Sequence, residues 1–102
     1  MGLNLTHRIN EGIHITGNGE SFDIILREVV CGSRVNKSVR LEAKGIQRQE
    51  DIILIMDRRY VRVTEGLFVR LGAHQKSGQR AKIEYDGDKE VFNFGFRRRY
   101  DP

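Results

Sequence analysis

Hydrophobic and polar side chains alternate along most of this chain, and that period of two is the signature of half-buried β-strands. In Leu3-Asn4-Leu5-Thr6-His7-Arg8-Ile9 the residues Leu3, Leu5, His7 and Ile9 face one way, while Asn4, Thr6 and Arg8 face the other. A turn at Glu11-Gly12 brings the chain back through Ile13-His14-Ile15, and Thr16-Gly17-Asn18-Gly19-Glu20 predicts a hairpin because Asn and Gly tolerate positive φ. A longer apolar strand runs from Phe22 to Val30. After a polar loop through Lys37, alternation resumes at Val39-Arg40-Leu41-Glu42-Ala43.

Further strands are expected at 51–56, 60–64, 67–71, 81–85 and 90–96, with a loop over 72–78 and turns at Glu65-Gly66 and Asp86-Gly87-Asp88. A single short helix over 47–51 is the one alternative to strand or loop, and it is too short to form on its own strength. The pattern therefore predicts an all-β protein, a small antiparallel β sandwich or barrel with little or no helix.

An internal echo suggests two related halves, 3–49 and 54–96, within one domain spanning 1–102. Val39-Arg40-Leu41-Glu42-Ala43-Lys44-Gly45 matches Ala81-Lys82-Ile83-Glu84-Tyr85-Asp86-Gly87 as apolar, basic, apolar, Glu, any, charged, Gly. A weaker echo sets Leu3–Ile9 beside Leu54–Tyr60.

The chain has 102 residues, of which 38% are hydrophobic and 31% charged, so it holds one lean core rather than two. That leanness is met by a tight β fold or by a dimer. The longest apolar run, Ile52 to Met56, is far short of a membrane span. No basic and apolar leader opens the sequence, so a cytoplasmic protein is expected. The single cysteine, Cys31, forms no internal disulfide and at an apolar strand end reads as a small buried hydrophobe.

Net charge is +4, and 13 of the 18 cations are Arg. The planar guanidinium pairs with phosphate and stacks on bases, which leans the chain toward nucleic acid. An enzyme is not expected, because His7, His14 and His74 are scattered and no nucleophile, carboxylate pair or metal-ligand spacing stands out. Neither metal nor cofactor is implied. His7 and His14 come near each other only if the first two strands form a hairpin.

Beyond this point the opening residues carry a resemblance. Leu3-Asn4-Leu5-Thr6-His7-Arg8-Ile9-Asn10-Glu11-Gly12-Ile13-His14-Ile15 resembles the first two strands of the carbon storage regulator family, with His7 and Asn10 as departures. Val39 to Ala43 is similar to that family's fourth strand, and Ala81 to Val91 to its fourth strand and the Lys-Glu-Val entry to its fifth. The resemblance implies an intertwined dimer of five-stranded chains that binds GGA-containing single-stranded RNA across the first strand of one subunit and the fifth of the other, controlling translation. A chain with two half-matches would be a fused, single-chain form of that dimer. Asn93-Phe94-Gly95 stands where the family has Val-His-Arg, which puts GGA specificity in doubt, and the family's C-terminal helix is absent or reduced to 96–99.

The expected RNA-contacting residues are Leu5, Thr6, His7 and Arg8 of the first strand with Arg58, Arg59, Arg97, Arg98 and Arg99. Phe92, Phe94 and Phe96 alternate on one strand face and read as core before they read as a base-stacking platform. The expected function is RNA-binding control of translation by occlusion. The rivals are a protein-interaction module working by β-edge pairing, with Ile52 to Met56 as a candidate edge, and a non-specific nucleic-acid binder.

Overall fold

The alternation resolves into nine strands in a computed structural model that describes residues 2–34, 36–47, 50–73 and 78–102. They are β1 (Gly2–Arg8), β2 (Glu11–Gly17), β3 (Glu20–Cys31), β4 (Asn36–Lys44), β5 (Ile52–Ile55), β6 (Val61–Thr64), β7 (Leu67–Leu71), β8 (Arg80–Gly87) and β9 (Phe92–Arg99). Two antiparallel sheets form, a first of order β1-β8-β7-β6 and a second of order β5-β4-β3-β2-β9. They pack face to face as a sandwich, not a closed barrel.

Burial alternates along β5, β7 and β8, while β3 buries Ile24, Ile25 and Leu26 in succession. Ile13, Ile15, Phe22, Ile24, Leu26, Leu41 and Leu54 of the second sheet meet Leu67, Val69, Leu71, Ile83 and Tyr85 of the first, all nearly or wholly inaccessible. At roughly 1.5–3 kcal/mol for each large apolar side chain taken from water, this interleaved layer is what drives the fold. The β2–β3 hairpin closes as the sequence predicts, with Asn18 (φ 54°) and Gly19 (φ 79°) between the paired Gly17 and Glu20. At Gly12 the strands approach so closely that a Cβ would lie 2.0 Å from the Ile24 carbonyl oxygen, so only glycine fits.

The two sheets are built alike, and each borrows its edge strand from the other half of the chain. β1 pairs with β8, and β5 pairs with β4, so that β1-β8-β7-β6 and β5-β4-β3-β2 run in the same order. Pairing register carries the correspondence to single residues: Leu5 opposite Ile83 matches Ile52 opposite Leu41, and His7 opposite Ala81 matches Leu54 opposite Val39. The strong echo between β4 and β8 is in step with this pairing. The weak one is not, since it set Leu3 rather than His7 against Leu54.

Several expectations are corrected. β1 and β2 do not form a hairpin: Asn10, at φ 69° with its N–H on the Leu26 carbonyl, turns the chain from one sheet into the other. His7 and His14 are consequently kept apart. Residues 97–99 belong to β9, which runs past the expected strand end at Phe96. Cys31 is exposed, its thiol donating to the Gly78 carbonyl at 3.3 Å, because it lies at the strand end beyond the core. The expected short helix falls partly on 48 and 49, outside the described residues, as do His74 and most of the 72–78 loop. Among the described residues no helix is long and apolar enough to cross a membrane.

Candidate nucleic-acid interface

β1 edges the first sheet and β9 edges the second, and the two edges lie along the same side of the sandwich. What joins them is an arginine. β9 pairs with β2 through a bulge, in which Ile15 faces Phe94 but Ile13 faces Arg97, leaving two residues, Gly95 and Phe96, across from His14 alone. The sequence allows it because Gly95 has no side chain to collide with the His14 carbonyl, 3.1 Å from where a Cβ would stand. Past the bulge the alternation inverts. Arg97 takes the side of β9 that Phe92 and Phe94 occupy but stays exposed, and it donates from Nη1 to the Thr6 carbonyl of β1 at 2.7 Å.

The same bulge corrects the aromatic stripe. Phe92 is buried and Phe94 packs on the core, as expected, but Phe96 is 95% exposed beside Arg97. Beneath the seam an aromatic column holds the two edges: His7 meets Tyr85 edge-on at 6.0 Å between centroids, and Tyr85 meets Phe94 at 5.9 Å.

On the outer face of the first sheet, register sets Arg8 directly opposite Arg80 and Thr6 opposite Lys82. Like charges in direct cross-strand register repel. Among the described residues the guanidinium groups of Arg8, Arg80 and Arg99 have no carboxylate partner. One row further, Glu84 is neutralised by Arg70 at 2.8 Å and Arg58 at 3.4 Å, and its carboxyl is held below the usual range, mainly by the Arg70 hydrogen bond. The face thus grades from a balanced patch at Glu84 to a cation-rich one at Arg8, where the nearest carboxylate is Glu11, which accepts the Arg8 backbone N–H at 2.8 Å and stands opposite Arg99.

Of the residues expected to touch RNA, Thr6, Arg8, Arg97 and Arg99 gather at this seam. Leu5 packs against the core, and His7 is fully buried, so neither presents a side chain to a ligand. His7 Nε2 shares a 2.8 Å hydrogen bond with the Tyr85 hydroxyl, while its Nδ1 is buried with no partner. Burial pushes its pKa down to about 4, nearby Arg97 adding to the effect and Glu11 opposing it. Arg58 is committed to Glu84 and the Leu71 carbonyl, and Arg59 sits beside Asp57 at 3.4 Å. Arg80 joins Arg8 through the pairing of β1 with β8, distant in sequence, which no local pattern records.

Arg98 points to the other side of β9, onto the outer face of the second sheet. There the Asp23 Oδ1 accepts from the Tyr100 hydroxyl at 2.6 Å, bonds His14 Nδ1 at 2.9 Å and takes Arg98 at 3.4 Å, while Ser21 Oγ lies 2.9 Å from His14 Nε2. Burial works to raise the Asp23 carboxyl, but the Tyr100 and His14 hydrogen bonds outweigh it and hold it below the ordinary range. Together with the Tyr100 N–H on the Asn10 carbonyl, this network latches the end of β9 in place. No group of three or more His, Cys, Asp or Glu that could hold a metal occurs among the described residues.

No protein-family model matches the chain, and neither a curated protein nor a solved structure matches it significantly.

Proposed function

We propose that this protein binds single-stranded RNA along the edge where β1 and β9 meet, and that it regulates translation by occluding the bound segment. The observation that carries the reading is Arg8 standing opposite Arg80 with neither guanidinium neutralised among the described residues, an arrangement that an anionic backbone relieves. Arg99 continues along β9 opposite Glu11, and on the Arg98 side of the same strand Phe96 offers a solvent-facing ring on which a base can stack.

Topology supports the same reading from a separate direction. The resemblance implies a site made of the first strand of one subunit and the last strand of the other. Here β1 and β9 come from different halves of one chain and are brought side by side, β1 on β8 and β9 on β2. A fused, single-chain form of that dimer would need its first and last strands to be neighbours in this way. Its sequence preference is a separate matter, because Asn93-Phe94-Gly95 replaces the family's arginine-bearing end.

Fluorescence anisotropy with a labelled single-stranded RNA tests this. Affinity is expected to fall steeply with salt, at about 0.7 in log K per log salt for each phosphate neutralised, and replacing Arg8 and Arg80 with Ala is expected to weaken binding at least tenfold and flatten that slope. Changing GGA to CCA in the RNA reports specificity independently. Absence of binding at low salt contradicts the proposal.

A second reading, a protein partner that pairs with an edge strand, is favoured by β5. Its Ile53 and Ile55 are 52% and 51% exposed, and Met56 follows with 53%.

A further inference from the structure

We infer that the chain carries one RNA site where its two-fold architecture has places for two. The inference rests on the proposed RNA binding and concerns which edge supports it. The comparison is internal to the molecule, because register matches the β1–β8 edge to the β5–β4 edge residue by residue.

At the first edge the outward rows are Arg8 opposite Arg80 and Thr6 opposite Lys82. At the second they are Ile55 opposite Ser38 and Ile53 opposite Arg40. Both residues of the unneutralised arginine pair are thus replaced, one by an aliphatic and one by a hydroxyl. The remaining cation, Arg40, is spoken for: Nη1 lies 2.7 Å from Asp51 and Nε 3.9 Å from Glu28. In the two rows that match the first edge no unpaired cation remains among the described residues, the nearest being the exposed Lys37 beyond the end of the β4–β5 pairing.

The second loss is a strand. β9 lies against β2 in the second sheet, and with it come Arg97, Arg99 and the exposed Phe96. The matching position on the first sheet is the outer side of β6, where the sheet ends with four strands against the five of its counterpart. An RNA strand laid along β5 would meet exposed isoleucines, with no arginine-bearing strand alongside. A protein with one such edge captures a single segment and cannot hold two segments of a transcript together.

Native mass spectrometry and calorimetry with a short single-stranded RNA, on the wild type and two variants, test this. One RNA per chain is expected. Arg8→Ala with Arg80→Ala should lose at least tenfold in affinity, whereas Ile53→Glu with Ile55→Glu, which puts carboxylates on the second edge, should bind within twofold of wild type. Circular dichroism checks that each variant is folded. Two RNAs per chain, loss of binding in the folded glutamate variant, or retained affinity in the folded alanine variant would overturn the inference while leaving RNA binding itself intact. No binding by the wild type would instead remove the proposed function, and the single site with it.

Discussion

Where β1 packs on β8, the sandwich interior holds His7 and Tyr85; at the matching positions where β5 packs on β4, it holds Leu54 and Ala43. The same scaffold therefore closes with an apolar pair as well as with a polar one. The polar pair is not needed to make the fold, and it carries a cost, since His7 Nδ1 is buried without a partner. It lies under the edge that gathers Arg8 and Arg97. The edge that has Leu54 and Ala43 at these positions carries Ile53 and Ile55 on its surface.

This contrast can be broken most severely by Leu54→His. With Ala43 where the other half has Tyr85, the imidazole would have no hydroxyl to meet. We expect about 3–4 kcal/mol of destabilisation in urea titrations, combining lost apolar burial with an unsatisfied polar ring. The reverse change, His7→Leu, leaves the buried Tyr85 hydroxyl without its partner and should cost about 1 kcal/mol at pH 7, a loss that adding Tyr85→Phe relieves.

Acid provides the next largest effect. His7 titrates at about 4 in the folded chain against an ordinary value near 6.5, so below pH 6.5 the unfolded chain takes up a proton that the native state refuses. Stability should therefore fall as pH drops from about 6.5 to 4, by up to about 3 kcal/mol, and this group should contribute no further loss below 4. Thermal unfolding of wild type and His7→Leu across that range measures it, and the variant should lack this component of the fall.

Tyr85→Phe removes the hydroxyl that His7 meets and should cost about 1–2 kcal/mol. In the His7→Leu background the same change should instead relieve the loss, a coupling that a double-mutant cycle reads directly. The smallest expected change is at the surface. Arg80→Thr relieves the repulsion with Arg8 and should raise stability by about 0.5 kcal/mol while weakening RNA binding. A loss of stability there would mean that the two arginines are not in conflict.

Much of this was legible in the chain because side-chain alternation is local. Leu3, Leu5 and His7 were placed on one face, and all three do face the core; reading His7 as an RNA contact contradicted that periodicity, and the periodicity prevailed. What alternation lacks is any record of which sheet a strand joins. The turn at Asn10 that separates β1 from β2 is a matter of one backbone torsion, and the meeting of Arg8 with Arg80 depends on a pairing between strands far apart in sequence. Phe96 escaped for a different reason. A bulge at Gly95 shifts the period by one residue, so the third phenylalanine of the stripe turns to solvent and the exposed Arg97 takes the side of the strand that Phe92 and Phe94 share.

The central claim is that the joined edges of β1 and β9 receive RNA, and amide chemical-shift mapping during titration with a short single-stranded RNA tests it most directly. The account predicts perturbations concentrated at Thr6, Arg8, Arg80, Phe96, Arg97 and Arg99, with Ile53, Ile55 and Met56 unmoved. Shifts concentrated on 53–56, or none at saturating RNA in low salt, would contradict it.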